Sequence, residues 1–155
     1  MSDIDVLIRR IESVFSHTSP PRHGDISSPT YDDEGTSSYF SGKTWRGHTA
    51  KQLRALDFSP AVFTDEAFAY YLPAYMVADL LDPVEADTIS EALLYWLSPA
   101  DGERGERAQR IVARLAQAQR EAVVNYFEHV RARDGECQEG EFDGALRLLR
   151  TVQHA

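Results

Sequence analysis

The chain contains a single cysteine, Cys137. An intrachain disulfide framework is therefore excluded, which fits a reducing compartment and makes the cytoplasm the expected location. No apolar run approaches the roughly 20 residues that a membrane-spanning helix needs. The start, Met1-Ser2-Asp3-Ile4-Asp5, is acidic, with no basic segment ahead of an apolar one, so it does not read as a targeting sequence. A soluble protein without a membrane role is expected.

Catalytic signatures are also missing. One cysteine cannot make a Cys-x-x-Cys pair, no His-Glu-x-x-His occurs, and no histidine has a glutamate three residues before it. The common zinc and di-iron patterns are thereby absent, so no metal is implied. Gly-x-Ser-x-Gly, the Walker loop and Gly-x-Gly-x-x-Gly are absent too, so neither an elbow nucleophile nor a phosphate cradle is indicated and no cofactor is implied. Cys137 stands in Asp-Gly-Glu-Cys-Gln-Glu-Gly-Glu. The surrounding acids disfavour its thiolate, which makes it a poor nucleophile. His17, His23 and His154 fall in loops or at the end, His129 sits beside Glu128, and His48 alone lies close to the aromatic residues. With no carboxylate in sequence to orient it, His48 reads as a surface or capping residue.

Positive charge is absent from one long stretch. Residues 55 to 103 hold ten Asp or Glu and no Lys, Arg or His, and the net charge is −9. This charge argues against non-specific binding to nucleic acid, which needs clustered cations, and no nucleic-acid partner is expected. Residues 104 to 133 reverse the balance, with seven Arg against three Glu. Arg107, Arg110 and Arg114 share one helix face, expected to lie beside the acidic segment within the fold.

What the chain does have is helical periodicity. No stretch alternates as a strand does, no Asn-Gly hairpin occurs, and no repeat recurs at 30–45 residues. At 155 residues an all-α, single compact domain over residues 1 to 155 is expected, with six or seven helices. Ile4, Leu7, Ile8, Ile11, Val14 and Phe15 form an apolar stripe that predicts a helix over residues 3 to 15, capped by Ser2. Residues 18 to 30 are rich in Pro, Ser and Gly and predict a flexible loop. Short helices are predicted over 31 to 41 and from His48 or Thr49 to Leu56. An apolar helix begins after Asp87 or Thr88 and stops at Ser98-Pro99, followed by a solvated turn at 100 to 105. The longest helical pattern covers 106 to 133, with room for a break near Ala116 and Gln117, and a last helix covers 145 to 152.

The densest apolar run is Phe63-Thr-Asp-Glu-Ala-Phe-Ala-Tyr-Tyr-Leu-Pro-Ala-Tyr-Met76. Thr64 is a good N-cap, and Asp65 and Glu66 suit the positive end of a helix. Phe68, Tyr71, Leu72 and Tyr75 recur at helical spacing. Pro73 lacks the N–H that would bond to Ala69, so a kink or restart is expected there, with Asp82-Pro83 as the stop. Aromatics on several faces predict a central, Pro-kinked helix.

Trp45, then Leu-Asp-Phe-Ser-Pro and this aromatic run, and finally Gln117-Ala-Gln-Arg-Glu-Ala-Val-Val, resemble an uncharacterised family of small bacterial helical proteins, a domain of unknown function. The resemblance is most specific over residues 40 to 80. It implies a small helical cytoplasmic domain and transfers no activity.

Two readings of function stay open. The leading one is a non-enzymatic protein-interaction domain, of the immunity or antitoxin type, in which an acidic surface including Asp79, Asp82 and Glu85 meets a basic partner. The other is a small-molecule binder or enzyme with an aromatic pocket around Trp45, Tyr70, Tyr71 and Tyr75. The chain is expected to be a monomer, or a homodimer through Tyr95, Trp96 or Phe127.

Overall fold

The computed structural model describes residues 2 to 27, 35 to 134 and 139 to 151. The expectations for Tyr31 to Glu34, Cys137, Val152 and His154 lie outside these residues. Among the described residues the regular structure is ten α-helices and one 3₁₀ turn, with no strand beyond an isolated bridge between Ser27 and Phe63. The all-α class holds, and the count exceeds the six or seven expected.

Helix α1, Asp3–Val14, forms where the apolar stripe requires it. Ser2 and Asp5 cap it reciprocally, each backbone N–H donating to the other's side chain. Short helices α2, Thr36–Phe40, α3, Ala50–Arg54, and α4, Ser59–Val62, follow. Thr49 and Gln52 make a second reciprocal cap at α3.

Helix α5, Asp65–Leu81, is the axis of the fold. The Thr64 hydroxyl accepts from the Ala67 N–H at 3.0 Å and donates to the Asp25 carbonyl at 2.6 Å. The Thr64 N–H adds a bond to the Ile26 carbonyl at 3.0 Å. These bonds anchor Asp25 and Ile26 within the Pro- and Ser-rich segment, and Ile26 is fully buried. That segment was expected to be a loop, and up to residue 27 it is one that is tied down. The helix does not restart at Pro73 but runs through it unbroken. One missing hydrogen bond is outweighed because α5 is buried on nearly every side, against α1, α3, α6, α7 and α8.

Beyond α5 come α6, Pro83–Ala86, α7, Ile89–Leu97, α8, Glu103–Arg114, α9, Gln117–Asp134, and α10, Glu139–Thr151. The long helical pattern does break, at Leu115 and Ala116: Leu115 is extended, and Gln119 caps α9 by accepting from the Ala116 N–H at 2.8 Å. The turn after Pro99 is shorter than expected, because Gly105 already belongs to α8 and is buried. A Cβ there would stand 1.7 Å from the Ala100 carbonyl oxygen, so only glycine lets α8 begin so close to its own connection. The last helix starts earlier than its leucines alone indicate, with Phe142 packed on Phe127.

Arginines of α8 lock this helix onto the start of α5. Arg110 Nε pairs with Asp65 at 2.7 Å. Arg107, itself buried, donates to the Pro60 and Phe63 carbonyls at 2.7 and 3.1 Å, which closes the C-terminal end of α4. Two members of the arginine face thus lie beside the acidic segment as its charge predicted. The buried apolar side chains form one continuous cluster from Leu7 to Leu149.

Candidate functional site

All four rings predicted to form a pocket are buried in the core. Tyr71 is fully buried, and its hydroxyl donates to the Phe40 and Lys43 carbonyls at 3.0 and 2.9 Å. Phe40, Phe63 and Tyr70 surround its ring at centroid distances of 4.4, 5.7 and 4.8 Å. Desolvation pushes its phenol far above the usual range. The Tyr70 hydroxyl accepts from the Trp45 N–H at 3.2 Å, and the Trp45 indole donates to the Phe15 carbonyl at 3.2 Å. All polar ends are satisfied by backbone, as buried tyrosine and tryptophan require. His48 belongs to the same layer. It bonds the Tyr39 hydroxyl through Nδ1 at 2.6 Å and the Thr44 carbonyl through Nε2 at 2.7 Å, and burial lowers its pKa.

Of the three acids predicted to form one surface, Asp79 is set apart from Asp82 and Glu85. Asp79 is fully buried. It accepts from the Tyr126 hydroxyl at 2.7 Å and pairs with Arg133 at 3.1 Å, so it joins α5 to α9. Asp82 is exposed and caps α6, accepting from the Glu85 N–H at 3.3 Å, while Glu85 is half-buried. Between and beside them stand two large aliphatic side chains in water, Leu81 at 68% and Val84 at 88% exposure. The corner where α5 turns into α6 is therefore an apolar knob with acidic neighbours.

Tyr75 differs from the other tyrosines. It lines a cleft of about 390 Å³ whose walls come from α3, α4, α7 and α10. Leu53, Ile89 and Trp96 provide apolar surface there, and Asp57, Glu91 and Arg54 provide charge. Arg54 is spanned to Asp87 at 3.0 Å. Asp87 closes α6 with φ 52° and ψ −98°, a conformation unfavourable for any residue with a Cβ. The Tyr75 ring is 3% exposed, yet its hydroxyl has no hydrogen-bond partner. Ser59 is close to it, but the Ser59 hydroxyl is engaged with Thr36 at 2.8 Å and makes no hydrogen bond of good geometry to the phenol. Desolvation holds this phenol neutral, with the Asp57 charge acting in the same direction. Among the described residues, no group of three His, Cys, Asp or Glu side chains is placed to hold a metal ion.

Sequence spacing missed Asp57, Glu91 and Trp96 as neighbours of Tyr75. Asp57 lies between α3 and α4, and Glu91 and Trp96 lie on α7, so no local pattern links them to Tyr75 on α5. The proposed dimer surface also changes composition. Phe127 is fully buried, Trp96 is half-buried, and Tyr95 is 47% exposed with Arg104 stacked 4.0 Å from its ring centre.

The fold defines an all-helical domain threaded by one buried helix, with an acidic apolar corner and a side cleft beside Tyr75. The chain belongs to the DUF6714 family, a family of unknown function, whose model matches residues 4–148. No curated protein and no solved structure matches it. Among the described residues no helix is long and apolar enough to cross a membrane.

Proposed function

We propose that this protein is a non-enzymatic interaction domain of the bacterial cytoplasm, of the immunity or antitoxin type, that docks a basic partner on the corner joining α5 to α6. The observation that carries this reading is the exposure of Leu81 and Val84 beside Asp82 and Glu85. Each large aliphatic side chain left in water forgoes roughly 1.5–3 kcal/mol that burial in an interface would supply. Aliphatic residues on a soluble surface need no explanation singly, but this pair sits in a segment without a single cation. A partner with Lys or Arg around an apolar face matches both features, and the charges would speed and orient its approach.

Selection of random displayed peptides on the purified protein tests the reading. Enriched peptides should combine Lys or Arg with apolar residues, and the Leu81→Asp/Val84→Asp variant should no longer retain them. Enrichment of acidic or uncharged peptides, or retention by that variant, contradicts it.

The small-molecule reading keeps one supporting observation, the cleft beside Tyr75, and loses the aromatic pocket first expected around Trp45, Tyr70 and Tyr71.

A further inference from the structure

We propose that, until a basic partner arrives, a second copy of this chain covers the α5–α6 corner in a two-fold dimer, a pairing that rests on the docking reading of this corner. The tip of the corner is apolar. Leu81 and Val84 are more exposed than any other large hydrophobic side chain described, and Pro83 between them is exposed too. A two-fold axis sets such a patch against its own copy, so acids alone around it would repel. The cations that make it self-complementary come from α3. Residues 35 to 56 hold Lys43, Arg46, Lys51 and Arg54 and no Asp or Glu. Helix α6 packs against α3, and Arg54 pairs with Asp87 at 3.0 Å, so basic α3 is fixed beside the acidic corner.

Lys51 lies one turn before Arg54 on the same side of α3 and is exposed. Among the described residues Lys51, Asp82 and Glu85 have no ion-pair partner within the chain. The patch thus joins an apolar centre to charges of both signs, Lys51 and Arg54 against Asp82, Glu85 and Asp87. It is nearly balanced, although the whole chain carries −9. At physiological salt the screening length is about 8 Å, so acids outside the patch oppose association little. In the two-fold pairing the Leu81 and Val84 side chains of the two copies meet at the axis. Lys51 of each copy faces Glu85 of the other, so each charge contact is made twice. A basic, apolar partner offers the same groups without the like charges, and it displaces the second copy.

Sedimentation equilibrium of the intact protein tests the pairing. Dimer should grow with concentration over roughly 10 μM to 1 mM, the range of a small transient interface. Val84→Asp should raise the dissociation constant at least about tenfold, as loss of a central apolar contact implies. It should melt with the wild type, since the side chain it replaces is 88% exposed. Lys51→Glu and Glu85→Lys should each weaken self-association. An equimolar mixture of the two should recover it, because each variant then meets the opposite charge. A basic peptide from the selection should convert dimer to monomer. Wild-type protein that stays monomeric throughout this range overturns the proposal. So does a dimer that Val84→Asp leaves intact, or a mixture that associates no more tightly than its components. Monomeric protein that still selects basic, apolar peptides removes the dimer alone. A Val84-dependent dimer that selects acidic peptides removes the basic partner alone.

Discussion

The Tyr126 hydroxyl donates to Asp79 at 2.7 Å in a place where both residues are fully buried, one on the central helix and one on α9. Arg133, a little under two turns further along α9, reaches the same carboxylate and also binds Asp134. A carboxylate without water needs these donors, and together they fix the register of α9 against α5. Asp79→Ala should therefore destabilise the protein by roughly 3 kcal/mol, since it leaves a hydroxyl and part of a guanidinium unpaired. Tyr126→Phe should cost about 1–2 kcal/mol. In urea unfolding, the double variant should lose less than the sum of the two, because the residues share one bond. Full additivity would deny the coupling.

Tyr71 anchors the aromatic layer by shape and by its two carbonyl partners. Tyr71→Ala should lower stability by roughly 3–5 kcal/mol, the range for large aromatic truncations in cores. Tyr71→Phe should lower it by about 1–2 kcal/mol, since the ring stays and the Phe40 and Lys43 carbonyls lose a donor. A near-neutral alanine variant would place the ring outside the core.

Gly105 marks a contact that no other residue can make. Gly105→Ala should destabilise by about 3 kcal/mol, because the new methyl meets backbone, which cannot turn aside. Gly24, where nothing lies within 4 Å of an added Cβ, is the control and should tolerate alanine. Equal melting temperatures for the two variants would contradict the close approach of α8 to Ala100.

His48 gives the protein a pH-dependent element. Its folded pKa lies below the free value of 6.5 because burial disfavours the imidazolium. A group shifted down in this way binds more protons unfolded than folded, so its contribution is complete above pH 6.5 and is lost as pH falls through the folded pKa. His48→Gln should flatten the decline in melting temperature below pH 6.5. An NMR titration of the wild-type ring should give a midpoint below 6.5, and a midpoint above it would reverse the sign.

The caps and the long helices were legible because their signals are local. Ser2, Thr49 and Thr64 sit where a hydroxyl can meet an N–H within three residues, and the α1 stripe spans more than three turns. The helices α4 and α6 are too short to show a period, so they did not appear in the pattern. Pro73 predicted a kink or a restart, and α5 runs through it without restarting. Asp79 looked like any other acid in an acidic segment. Its burial is set by Tyr126 and Arg133, which lie 47 and 54 residues away in sequence. The cleft depends on α3, α5 and α7 meeting, and sequence spacing carries no record of that.

Docking on the α5–α6 corner is tested most directly by NMR mapping with the tightest basic peptide from the selection. Amides from Leu80 to Thr88 should shift, and affinity should fall at least about tenfold between 50 and 300 mM salt as the acidic contacts are screened. Shifts confined to another face, or affinity indifferent to salt, would contradict the account.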